Sequence, residues 1–165
     1  MRKSIFTKAF ILLMPLFILC ACGRVRSEAA SAAPDVSLRD MDGKVVAISG
    51  FKGKVIILDF FATWCPPCRQ EIPDFVELQK QYGAQAFTMV GVSLTPASDV
   101  RPFAEKAGIN YPILIDNDEA SKAYGPIRSI PTTFVIDKEF NIVKKYIGYT
   151  SKETFESDIK ELLSK

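Results

Sequence analysis

The sequence predicts an α/β fold in which a mixed sheet carries helices on both faces, and three observations lead there. Mostly apolar runs of strand length, reading as buried strands, occur at Val55–Phe61 and Phe87–Leu94, with a helical pattern between them. Two further strands, Thr132–Ile136 and Ile142–Ile147, follow each other across a turn at Lys138–Asn141 and so pair antiparallel. An amphipathic helix, Ser151–Leu163, closes the chain. Strands alternating with helices and then an antiparallel pair make a mixed, layered sheet.

The other elements fall into place in chain order. Val36–Leu38 and Lys44–Ile48, joined through Asp42-Gly43, form an opening hairpin. Pro66–Tyr82 is a helix with apolar residues at Ile72, Phe75, Val76 and Leu78. Asp99–Ala107 is a short amphipathic helix stopped by Gly108, and Tyr111–Ile115 reads as an edge-like strand because it contains Pro112. Ser121–Tyr124 is at most a short helix. The aromatics Phe51, Phe75, Phe87, Phe103, Tyr111 and Phe134 are assigned to the core, with no pattern that suggests a cofactor box.

The chain divides into an export segment, a tether and one domain. Arg2, Lys3 and Lys8 precede an apolar stretch, Ala9–Leu19, with the flanks and length of a signal-peptide core. Leu19-Cys20-Ala21-Cys22-Gly23 resembles a bacterial lipobox, which makes Cys22 the expected lipidation site and residues 1–21 the signal peptide. The alternative is a soluble secreted protein cut near the alanines at 29–33. Residues 22–34, rich in Ala and Ser, read as a lipidated tether, and 35–165 as a single domain large enough for its own core. Residues 1–21 hold three basic and no acidic side chains, so their removal takes the formal charge from +2 to −1. That balance leaves no electrostatic footprint for nucleic acid. The expected location is extracytoplasmic, in a periplasm or at a cell surface, held to a membrane by the anchor.

Within the domain only Cys65 and Cys68 remain as cysteines, two residues apart in Trp64-Cys65-Pro66-Pro67-Cys68. They follow an apolar strand and open a helix, the setting of a redox dithiol. At a helix N-terminus the unpaired N–H groups and the positive end of the macrodipole favour a thiolate, so Cys65 is the expected nucleophile and Cys68 the resolving thiol. A zinc site needs about four ligands, and a chain without histidine and with one other domain cysteine cannot supply them from nitrogen and sulfur. No metal or other cofactor is expected. Asp59 is the one charge inside its apolar strand, costly unless protonated or paired, unless it reaches solvent at the strand end.

These residues, in this order, resemble the TlpA/ResA-like group of thioredoxin-fold proteins over nearly all of the chain from Pro34 onward. The resemblance rests on Phe60-Phe61-Ala62-Thr63-Trp64-Cys65-Pro66-Pro67-Cys68, on Pro73 in the helix, on Ile130-Pro131-Thr132 and on Gly148. The opening hairpin and an insertion from Leu94 to Ile115, after Gly91-Val92-Ser93, favour that group over plain thioredoxin. It implies a cis peptide before Pro131, with the Ile130 backbone free to pair with an extended substrate. It implies a proton relay at Asp59 and an influence of Glu71 on thiol acidity, although Glu71 reads equally as a solvated helix residue. Trp64, Pro66 and Pro67 are expected to form the substrate-facing rim.

The function expected is reduction of protein disulfides by a monomer that a membrane-linked thiol donor re-reduces, with apocytochrome c, in cytochrome c maturation, as the substrate implied by resemblance. An oxidant or isomerase is the alternative within the same chemistry, made less favourable by the lack of histidine between the cysteines. A peroxidase of the peroxiredoxin type needs a threonine three before its cysteine, and Thr63 is two before Cys65. A non-catalytic lipoprotein is the remaining alternative, and a copper carrier of this fold would rely on a histidine that is missing here.

Overall fold

The computed structural model describes residues 31–165; the export segment and Cys22 lie outside the described residues. Eight strands form one sheet: β1 (Ser31–Ala32), β2 (Ser37–Asp40), β3 (Val45–Ala47), β4 (Val55–Phe61), β5 (Phe87–Ser93), β6 (Ile113–Ile115), β7 (Thr132–Ile136) and β8 (Asn141–Ile147). Their spatial order is β1-β8-β7-β4-β5-β6-β2-β3. β4 is central, parallel to β5 and antiparallel to β7. Four helices accompany them: α1 (Pro66–Tyr82), α2 (Ala97–Ala107), α3 (Glu119–Ala123) and α4 (Lys152–Leu163).

The alternation of side chains along β4 decides what lies on each face. Ile56, Leu58 and Phe60 pack with Ala120 and Tyr124 around α3 and with Ile48 of the 3-10 turn Ile48–Phe51. Val55 and Ile57 point the other way, onto Phe75 and Leu78 of α1 and Phe155 and Ile159 of α4. Phe61, on that second face, meets Val100 and Ala104 of α2 beside the two cysteines. Asp59 shares the parity of Val55 and Ile57, which directs its carboxyl under α1.

Two elements differ from the sequence expectation. The Tyr111–Ile115 segment is not an edge strand: β6 lies inside the sheet, between β5 and the β2–β3 hairpin, with Arg39 opposite Ile115. Pro112 is compatible with this because it precedes the strand, where its carbonyl accepts from Gly91 N–H at 2.9 Å. The sequence reading also places residues 22–34 in the tether, whereas Ser31 and Ala32 pair with Ile142 and Asn141 as β1, and the Ala33 N–H bonds the Phe140 carbonyl at 2.9 Å. Of the aromatics assigned to the core, Phe75, Phe87, Tyr111 and Phe134 are buried, and Phe51 and Phe103 are only partly covered. No helix among the described residues is long and apolar enough to cross a membrane.

Candidate active site

The site is assembled at the C-terminal ends of β4 and β5, where the chain turns from Phe61 into α1. Cys65 is the N-cap of α1, and its Sγ accepts the Cys68 N–H at 3.3 Å. Pro66 and Pro67 occupy the first helical turn and have no N–H to give. The Cys68 N–H is therefore the first backbone donor of the helix, and it is aimed at the Cys65 sulfur. Cys65 and Cys68 are joined as a disulfide with a Cα–Cα distance of 5.3 Å. On its other side the Cys65 sulfur lies 3.7 Å from the Ile130 carbonyl oxygen.

Two carboxyl groups are buried on the face beneath α1. Asp59 is 2 % exposed and accepts one hydrogen bond, from the Thr133 hydroxyl at 3.0 Å. Burial pushes its pKa up to about 7, against which the Thr133 bond gives only partial relief. Glu71 is fully buried, so it is not a solvated helix glutamate. Its Oε1 accepts the Thr150 N–H at 2.6 Å, while Oε2 has no partner among the described residues. Burial raises it to about 8, the Thr150 bond lowers it, and the Asp59 and Asp74 charges raise it further. Tyr111 feels both charges, and its burial drives the phenol pKa well above the usual range. In a chain without histidine, these two buried carboxyls are the groups whose pKa values are raised to near neutral pH.

The opposite wall is the loop that ends at Pro131. The Ile130–Pro131 peptide is cis. Pro131 offers its carbonyl to the Gly148 N–H at 2.8 Å, and Gly148 takes φ +84° there, a left-handed conformation that glycine adopts without penalty. The Ile130 N–H has no hydrogen-bond partner among the described residues. Around the disulfide, Trp64 is 70 % exposed, Pro66 is exposed and Pro67 half-buried, yet Cys65 and Cys68 are only 2 % and 1 % exposed. The tryptophan therefore stands outside the core as part of an apolar rim. Cys22, the expected lipid site, is outside the described residues.

A capped disulfide, two buried carboxyls and an open backbone donor form a thiol-exchange centre, and comparison with known proteins says which kind. Residues 29–145 match the model of the AhpC/TSA family. The chain belongs to that family. The thiol-disulfide oxidoreductase ResA of Geobacillus thermodenitrificans is 38% identical over 135 residues, covering 81% of this chain and 75% of that protein. The thioredoxin-like protein YneN of Bacillus subtilis is 37% identical over 131 residues, covering 77% and 76%. A crystal structure of a thioredoxin-family thiol:disulfide interchange protein from Chlorobium tepidum superposes with a TM-score of 0.75 at 38% identity, covering 81% of this chain and 97% of that one. The chain is a thiol-disulfide oxidoreductase of the thioredoxin fold, and Cys65–Cys68 is its redox pair.

Sequence reasoning missed the groups that hold the oxidoreductase's dithiol loop in place. The Thr63 N–H donates to the Thr95 hydroxyl at 3.1 Å, and Thr95 is fixed in turn by Ser93, whose hydroxyl donates to the Thr95 carbonyl at 2.9 Å and accepts its N–H at 3.0 Å. Thr95 lies 32 residues from Thr63, so only the parallel register of β4 and β5 brings them together. Thr95→Val keeps the shape and removes the acceptor, leaving the Thr63 N–H unpaired at a partly buried position. We expect a loss of about 1–3 kcal/mol in urea unfolding and a slower exchange rate at Cys65. An unchanged midpoint would show that water replaces the hydroxyl there.

Proposed function

We propose that the chain reduces protein disulfides outside the cytoplasm, anchored to a membrane through lipid on Cys22 and re-reduced by a membrane-linked thiol donor. The observation that carries this reading is the Cys65 sulfur, set between the Cys68 N–H and the Ile130 carbonyl, beside an unpaired Ile130 N–H. An extended substrate segment would pair with the Ile130 backbone as a short added strand. Trp64, Pro66, Pro67 and the Pro131 loop form the surface against which it docks. The Cys65 thiolate attacks one substrate sulfur, the substrate S–S bond breaks, a mixed disulfide forms and the leaving thiolate takes a proton. Cys68 then gives its proton to the Asp59 carboxylate and attacks the Cys65 sulfur. The mixed disulfide breaks, Cys65–Cys68 closes, and the second substrate sulfur leaves as a thiolate and takes a proton from solvent, so the substrate has gained two electrons and two protons. Glu71, raised by burial and in part by the Asp59 charge, keeps a second proton within the same buried site. Apocytochrome c, with closely spaced cysteines kept reduced for haem attachment, is the substrate class we favour.

Thr63 argues against a peroxidase reading within the family: it lies two residues before Cys65, and its hydroxyl is 3.5 Å from that of Thr95. The direction of electron flow is tested by the reduction potential of the Cys65–Cys68 pair, equilibrated against a defined thiol buffer. We expect a value at or below about −250 mV, near the thioredoxin end of the range. A value near or above roughly −150 mV would make the protein a disulfide donor instead.

A further inference from the structure

A pocket of about 390 Å³ lies directly behind the cis-proline loop, and nothing in the exchange chemistry uses it. Its floor is one face of the β7–β8 pair. Thr132 lies opposite Ile147 and Phe134 opposite Lys145, so these four side chains share that face. Its wall is the segment from Gly125 to Ser129, which the Thr132 hydroxyl fastens by donating to the Ser129 carbonyl at 2.7 Å. The next two residues are Ile130 and Pro131, so the wall runs without interruption into the backbone that faces the Cys65 sulfur.

The lining is apolar at Pro126, Ile127 and Ile147, the last 67 % exposed, and cationic at Arg128 and Lys145. No acidic residue lines it. The Lys145 ammonium sits 5.1 Å from the centre of the Phe134 ring, and neither it nor Arg128 has an ion-pair or hydrogen-bond partner among the described residues. By contrast Lys144, the next residue on the other face of β8, is paired with Asp158. Two unpaired cations around an apolar hollow, beside the strand edge where a substrate would lie, complement an anionic side chain.

We propose that this pocket is a specificity subsite, which receives an Asp or Glu side chain of the bound protein segment a few residues from its reacting cysteine. The inference rests on the substrate-pairing role given above to Ile130. An extended segment advances about 3.3 Å per residue, so one paired at Ile130 passes Ser129 and Arg128 within about two to four residues. The carboxylate would sit between the guanidinium and the ammonium while the neighbouring stem covers Ile147.

The test uses the full chain, reduced, against disulfide-linked peptides in which Glu, Gln or Lys is moved through the four positions on each side of the cysteine. Trp64, the only tryptophan of the chain, gives the fluorescence readout. At one position on one side, Glu is expected to react roughly fivefold faster than Gln, an advantage that shrinks in high salt. The double variant Arg128→Glu, Lys145→Glu is expected to invert the order, favouring Lys at the same position. Equal rates for all three residues at every position, with the neutral 2-hydroxyethyl disulfide still reduced, would overturn the subsite and leave the reductase standing. Failure to reduce 2-hydroxyethyl disulfide as well would remove the reductase reading and the subsite with it. A charge reversal that changes binding to anionic vesicles but not the peptide order would make this surface a lipid contact and overturn the peptide subsite.

Discussion

Cys65→Ser is expected to abolish disulfide exchange, with the rate falling by at least on the order of a thousandfold, because no other thiol in the described residues can take its place at the N-cap of α1. Cys68→Ser should behave differently. Cys65 would still attack, but no thiol would follow to release the product, so the protein should accumulate as a mixed disulfide with its substrate. Non-reducing electrophoresis separates the two outcomes: no adduct for the first variant, a persistent adduct for the second. The adduct also captures the physiological partner. Turnover by Cys65→Ser at the parent rate would remove the dithiol mechanism altogether.

The second large effect is on stability. Asp59 and Glu71 bind their protons more tightly in the folded state, at about 7 and about 8, than at their ordinary values of 3.8 and 4.5. Groups raised in this way contribute stability that is fully present below the unfolded pKa and is lost as pH rises through the folded pKa. The window therefore runs from about pH 4 to about pH 8, and stability should fall across it. Asp59→Asn cannot ionise and can still accept from Thr133. Its stability relative to the parent should begin to rise near pH 4 and level off near pH 8, a total gain on the order of 4 kcal/mol in urea unfolding. Glu71→Gln should shift stability in the same sense. The double variant should gain less than the sum, since part of the Glu71 shift comes from the Asp59 charge, which Asp59→Asn already removes. Parallel pH profiles for parent and Asp59→Asn would mean that Asp59 ionises without penalty in the fold.

What the sequence revealed depended on whether the signal was local. Val55–Phe61 and Pro66–Tyr82 were legible with their observed bounds, because an apolar run broken by a single charge and a helical stripe are patterns within one segment. Asp59 stood out for the same reason, as a charge where every neighbour is apolar. The interior position of β6 was not legible: it depends on the β2–β3 hairpin, some 75 residues earlier, returning to pair beside it. β1 carries no apolar signal at all, and only its bonds to the β8 end of the sheet reveal it. The burial of Glu71 was hidden because its helix position is compatible with either face, and the decision is made by Thr150, 79 residues away. The threonines that brace the site were silent for the same reason, as a hydroxyl in a loop has no pattern until its partner is known.

The near-complete covering of Cys65 and Cys68 has a consequence for the redox economy around the protein. A disulfide open to solvent drifts toward the potential of whatever small thiols surround it. Here the sulfurs lie behind the Trp64 rim and the Pro131 loop, so small thiols and disulfides should react, but more slowly than a protein that docks on those surfaces. Electrons can then pass between chosen proteins while the bulk pool stays out of balance with them. The oxidation state of this chain would report which partner visited last, rather than the average chemistry of its compartment.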